Sequence, residues 1–211
     1  MLCTPCQKKL PWRQKPCGLC GQELPSSAAL SCGECLKKPP IWHHFVSPWY
    51  FDQPISQLIH RCKFSFSPHL ADYLGQLMAP YAQVFYDRDP VDLLVPVPLH
   101  RLRQAKRLYN QADWIARGLA KFFSCPIDTR SLKRVKYTQA QARLNSREVR
   151  RINTQSVFRV SHPPAAKHIA LIDDVSTTGA TATACIAAWQ EVSPTRFSLW
   201  CLASGSAKRY S

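Results

Sequence analysis

The chain has 211 residues, 45% of them hydrophobic, and carries 28 Lys and Arg against 13 Asp and Glu, a net charge of +15. That apolar content supports a folded core and excludes a disordered chain. No run of about 18 apolar residues occurs, so no transmembrane helix is expected. The opening stretch, MLCTPCQKKLPWRQKPC, lacks the apolar core of a secretory signal. A cytoplasmic protein with no membrane insertion is therefore expected.

Cysteines come first. Six of the ten form C-x-x-C pairs: Cys3/Cys6, Cys17/Cys20 and Cys32/Cys35. Two thiolates spaced this way can turn toward one tetrahedral centre, the geometry of a zinc knuckle. Without a secretory signal a disulfide framework does not fit, and three successive pairs argue against a redox site. Cys17, Cys20, Cys32 and Cys35 make C-x2-C-x11-C-x2-C, a complete ligand set for one structural Zn²⁺. Cys3 and Cys6 are further candidate ligands; they either close a different set with Cys17/Cys20 or lack a partner pair. Cys62, Cys125, Cys185 and Cys201 stand in apolar surroundings and read as small buried hydrophobes. LKKPP at 36–40 is a stiff boundary. Residues 1–40 are expected to form a Cys-rich, zinc-ribbon-like module and 41–211 a second domain.

HHFVSPWYF (43–51) predicts a strand or hairpin. PISQLIHRCKF predicts a helix with Leu58, Ile59 and Cys62 on one face. His43, His44, His60 and His69 show no spacing that converges on a metal. PHLADYLGQLMAPYAQVF predicts a helix with Leu70, Leu74, Leu77 and Met78 inward, kinked or ended at Pro80. VDLLVPVPL (91–99) reads as a buried parallel strand stopped by its prolines. QADWIARGLAKFF is an amphipathic helix with Ile115, Leu119 and Phe122 in phase. Strands are expected from about residue 126, over SVFRV (156–160) and over KHIALIDDV. TATACIAAWQ predicts a helix and TRFSLWCLAS a last strand. Strands alternating with helices predict an α/β fold around a mainly parallel sheet flanked by helices.

Charge is uneven. Residues 93–160 hold fifteen Lys and Arg against three Asp and Glu, a net +12. A solvated surface would explain some of this; such concentration in a third of the chain points to a phosphate-rich partner.

ALIDDVSTTGATATA (170–184) places two acids at the end of an apolar strand, followed by small hydroxyl residues and a glycine where a helix begins. Ligands of open parallel sheets bind at the carboxyl ends of strands. Backbone N–H groups at a helix N-terminus, with the hydroxyls of Ser176, Thr177, Thr178 and Thr181, make a phosphate cradle. Gly179 permits close backbone approach. Asp173 and Asp174 can accept hydrogen bonds from ribose hydroxyls while the loop holds a 5′-phosphate. An ordinary polar strand end with a Ser/Thr cap is the bland alternative. No Walker A pattern occurs, so a P-loop NTPase is not supported.

ALIDDVSTTGAT resembles the phosphoribosyl pyrophosphate (PRPP) loop of type I phosphoribosyltransferases. Together with LLVPVPLHRLRQAKRLYNQADWIARGLA, SLKRVKYTQAQARLNSREVRRINTQSVF and CGLCGQELP…CGECLKKPP, it resembles the ComF/GntX family over nearly the whole chain. The resemblance implies a phosphoribosyltransferase-like domain at 41–211. It implies catalytic, ribose-binding roles for Asp173 and Asp174. It assigns the 5′-phosphate to Ser176, Thr177, Thr178, Gly179, Ala180 and Thr181, and a pyrophosphate-side loop to Val95–Pro98, with Pro96 and Val97 at the ligand. Arg107, Asn110 and Gln111 stand where the family has R-G-F-N-Q; Leu108 occupies the place of its usual glycine. Arg134, Thr138, Gln141, Arg147, Arg150 and Arg151 match its mobile loop and neighbourhood.

The implied chemistry is substitution at ribose C1, with Mg²⁺ bridging pyrophosphate and ribose oxygens and arginines neutralising the leaving group. The family context implies DNA uptake in competence, or use of DNA as nutrient, with the uptake machinery and single-stranded DNA as partners. Arg101, Arg103, Arg107, Arg134, Arg147, Arg150 and Arg151 would contact that DNA, and Tyr109, Tyr137 and Phe158 would stack bases. A genuine transferase acting on an unidentified base or amine is the alternative, and a pure zinc-ribbon adaptor leaves the acid pair unexplained. Relatives of this type often carry four C-x-x-C pairs, and the resemblance matches Cys3/Cys6 to the second. The first knuckle is then expected to be lost, or to lie upstream of the present Met1.

Overall fold

A computed structural model describes residues 2–25, 30–136 and 157–205. Within it, β1 (His44–Val46), β2 (Trp49–Tyr50), β3 (Leu93–Pro96), β6 (His168–Ser176) and β7 (Arg196–Ser204) form one sheet in the order β1-β7-β6-β3, with β2 also on β7. Every pairing in it is parallel. β4 (Leu132–Arg134) and β5 (Phe158–Val160) form a separate antiparallel ribbon. The helices are α1 (Thr4–Lys8), α2 (Gly33–Lys37), α3 (Ile55–Phe64), α4 (Pro68–Tyr86), α5 (Arg101–Arg107), α6 (Gln111–Ala120) and α7 (Ala180–Gln190).

Both faces of the sheet are covered, which is why β6 and β7 read as continuous apolar runs rather than alternating ones. Along β6, Ala170 and Ile172 join a core with residues of α3, α4 and α6. Ile169 and Leu171 join a second core with α7 and the β4–β5 ribbon. Helices α4 and α6 cross at glycines. A Cβ on Gly75 would lie 2.3 Å from the Ile115 carbonyl oxygen, and one on Gly118 would lie 2.1 Å from that of Asp72.

Several expectations need correction. Of the strand or hairpin expected over residues 43–51, the strand forms, as β1 and β2, and the hairpin does not: both run parallel to β7, because Ser47-Pro48 interrupts pairing without reversing the chain. Pro80 does not end α4, which continues to Tyr86 with Pro80 exposed inside it. Buried Met78, Ala79 and Ala82 hold the helix to the core on either side of it. Phe122 is 54% exposed and Phe123 is the buried ring, since α6 ends at Ala120 and the helical phase stops there. The strand expected from residue 126 supplies only a single parallel bridge, Ile127 to Leu94, before β4 leaves the sheet. Helix α5 was not anticipated at all.

Candidate functional site

Strand β6 carries the acids to the carboxyl end of the sheet. Gly179, with φ 71°, then turns the chain into α7; as N-cap it offers no side chain, and the Thr178 hydroxyl accepts the Ala180 N–H at 3.4 Å. The resulting loop wraps a cavity of about 60 Å³ lined by Asp173, Val175, Ser176, Thr177, Thr178, Gly179, Ala180, Thr181, Ala182 and Leu199. Thr177, Thr178 and Thr181 are exposed at its rim. The whole predicted cradle, with one of the acids, therefore borders a single space.

The two acids diverge. Asp173 lines the cavity and receives the Asp174 backbone N–H on Oδ1 at 2.8 Å. Burial, reinforced by the neighbouring Asp174 carboxylate, pushes its carboxyl up to about 7. Asp174 is buried and turned to the α3/α6 side. Its Oδ1 lies 2.9 Å from Lys63 Nζ, and its Oδ2 accepts from Gln111 Nε2 at 2.6 Å. Lys63, at the end of α3, was missed. Its only sequence signal is a cation next to the buried Cys62.

The turn before α6 is pinned to the same strand ends. Asn110 caps α6 through the Ala112 N–H and donates to the Val97 carbonyl at 3.1 Å, while Val97 N–H donates to Ile172 O. Asn110 and Gln111 are buried, and these contacts occupy their side-chain amides. They position the 96–98 segment and Asp174. Pro96 and Val97 are themselves buried. Arg107 reaches Gln111 Oε1 at 3.4 Å and lies over the Phe64 ring at 5.3 Å. Leu108, at the family's glycine position, has φ 65° and is 73% exposed. The structure thus keeps the left-handed turn that a glycine would make freely.

Of the residues expected at DNA, Arg101 is exposed and Arg134 lies over Phe158 at 5.4 Å. The Arg103 side chain, Tyr137, Thr138, Gln141, Arg147, Arg150 and Arg151 lie outside the described residues. Tyr109 and Phe158 are buried and cannot stack a base. The Tyr109 hydroxyl instead donates to the Cys62 carbonyl.

Cys17, Cys20, Cys32 and Cys35 bring their sulfurs within 4.8 Å of one another, with Cys20 and Cys32 at 3.7 Å. Four thiolates about 2.3 Å from a central Zn²⁺ lie about 3.8 Å apart, so the cluster fits a structural zinc. Cys3, just before α1, and Cys6, on it, are exposed and belong to no such group among the described residues. That helix is held to α4 through Tyr73, which meets Leu2 and Gln7. Arg13 was also missed: buried, it donates to the carbonyls of Gly21 and Ser204 and so joins the cysteine knuckle to the end of β7. No helix among the described residues is long and apolar enough to cross a membrane.

No family model matches the chain. It is 32% identical over 207 residues to the DNA utilization protein YhgH of Salmonella typhimurium, covering 95% of this chain and 89% of the relative. It is 35% identical over 187 residues to Competence protein F of Haemophilus influenzae, covering 85% and 80%. Competence protein ComFC of Bacillus subtilis is 24% identical over 173 residues, covering 78% and 67%.

Proposed function

The chain belongs to the ComF family, and from that premise we propose that it is a PRPP-binding, phosphoribosyltransferase-like protein of bacterial DNA uptake or DNA utilisation. The observation that carries the reading is the cavity enclosed by Ser176–Thr181 with the Asp173 carboxylate on its wall. The loop takes the 5′-phosphate through helix N-terminal amides and hydroxyls; Asp173 accepts from ribose hydroxyls. Asp174 holds Lys63 and Gln111 in place beside the pyrophosphate side, where Arg107 adds positive charge. Mg²⁺, a hard cation suited to carboxylate and phosphate oxygens, offsets the diphosphate charge when bound. Residues 1–40 serve as the zinc-ribbon-like part and 41–211 as the PRPP-binding domain.

Single-stranded DNA is the polymeric partner of this reading, in the cytoplasm. The relatives' names motivate it, as do the net +12 over residues 93–160 and two exposed rings. Phe64 is 70% and Phe66 58% exposed, with the Arg107 guanidinium over Phe64. These take the stacking role that Tyr109 and Phe158 cannot. Base stacking on a ring contributes about 1–3 kcal/mol. Anisotropy of a labelled oligonucleotide should show binding that weakens with salt, and the double variant Phe64→Ala/Phe66→Ala should lose about tenfold or more at fixed salt. Undetectable binding at low salt removes DNA from the reading.

A genuine transferase remains the second reading, favoured by the Asp173 carboxylate bordering the cavity. Pyrophosphate release from PRPP and Mg²⁺, with candidate bases or amines and with or without single-stranded DNA, separates the two. Base-dependent release makes the protein an enzyme; PRPP binding without release makes it a binder.

A further inference from the structure

The phosphate loop is buttressed from outside its own strand and helix. A Cβ on Gly179 would lie 2.4 Å from Trp42 Cη2, so the indole rests directly on the residue that turns the loop into α7. The indole N–H donates to the Leu19 carbonyl at 2.7 Å, and Leu19 lies between Cys17 and Cys20.

The same knuckle grips the chain next to Trp42 twice more. Phe45 N–H donates to the Gly18 carbonyl at 2.7 Å. The Phe45 ring fills the space over Gly21, where a Cβ would meet it at 2.6 Å, and lies 6.4 Å from the Trp42 ring. One tryptophan thus spans the four-cysteine cluster and the hinge of the cradle.

We propose that Trp42 is a positioning residue that couples the metal-bound knuckle to the phosphate loop. With zinc bound, the 17–21 turn is fixed, the Leu19 carbonyl holds the indole, and the indole holds Gly179 in its left-handed turn. Without zinc the turn loosens, Trp42 is released, and the loop amides lose their common aim. Metal occupancy then sets phosphate affinity although no cysteine is among the residues that line the cavity. This rests on reading 176–181 as a phosphate site.

Hydrogen exchange read by mass spectrometry tests the coupling without any ligand, on the full chain with zinc and after chelation and dialysis. In the parent protein, metal removal should speed exchange of peptides covering 176–183 about tenfold or more while those of β7 stay protected. In Trp42→Ala the loop should exchange fast in both states, with the metal content unchanged. Trp42→Phe keeps a ring at Gly179 and drops only the N–H donated to Leu19, so its loop should no longer respond to zinc. Titration of ribose 5-phosphate should show about a tenfold loss in the zinc-free parent and in Trp42→Ala.

Loop exchange in the parent that ignores metal removal overturns the proposal. So does an equal response to zinc in the parent and both variants, or loss of protection throughout the sheet on chelation. If ribose 5-phosphate fails to bind the zinc-loaded parent, the phosphate reading of the loop falls, and the exchange comparison still decides the coupling.

Discussion

Lys63 Nζ lies 2.9 Å from Asp174 Oδ1, although the two residues arrive from α3 and from the end of β6. Asp174 is buried, and its other oxygen accepts from Gln111. Removing the lysine charge leaves a buried carboxylate with one partner. Lys63→Met should therefore lower stability by about 1–3 kcal/mol, less than for a fully buried pair because Lys63 is partly exposed. Asp174→Asn, which still offers Gln111 an acceptor, should cost less. Urea denaturation of the two variants checks the order.

Asp173 predicts a pH effect on stability. An unfolded aspartate ionises near 3.9, and in the folded protein burial and Asp174 raise it to about 7. Between these values the unfolded chain holds fewer protons than the folded one, so stability falls as pH rises through this window. Asp173→Asn has no charge to bury. Its advantage over the parent should grow from pH 4 to 7, to on the order of 1–2 kcal/mol, and level off above. Thermal or urea unfolding across pH reads this directly, and an advantage that shrinks with pH contradicts it.

Leu108 pays for a turn that suits glycine. Its φ of 65° falls in the left-handed region, and its side chain is 73% exposed, so little packing is lost on truncation. Leu108→Gly should raise stability by about 0.5–1 kcal/mol. A lower denaturation midpoint would show that the leucine makes contacts worth more than the strain.

The cysteine geometry predicts metal stoichiometry. Cys17→Ser/Cys32→Ser should lose the zinc, and Cys3→Ser/Cys6→Ser should keep it, because only the first pair belongs to the four-sulfur group. Elemental analysis should find one zinc per chain in the parent. Two tightly held zincs, or loss in the second variant alone, contradict this pairing.

What could be read from sequence was what lies together along the chain. Residues 168–181 keep strand, acid and hydroxyl loop contiguous, and the C-x-x-C spacing carries its own geometry. What could not be read depends on distant contacts. Lys63 meets Asp174 across more than a hundred residues, Trp42 meets Gly179, and Arg13 meets Ser204. No local pattern marks any of them. Periodicity also misled where an element stopped: beyond Ala120 the helical phase no longer selected Phe122. Nor could composition tell that Tyr109 and Phe158 face inward while Phe64 and Phe66 face out.

The central claim is that the loop after β6 binds PRPP. Isothermal titration of PRPP with Mg²⁺ into the zinc-loaded protein, at pH 8 where Asp173 is ionised, tests it most directly. The parent should bind, and Asp173→Ala, with its fold confirmed by circular dichroism, should bind at least tenfold more weakly. No heat of binding in the parent, or equal affinity in Asp173→Ala, would contradict the assignment.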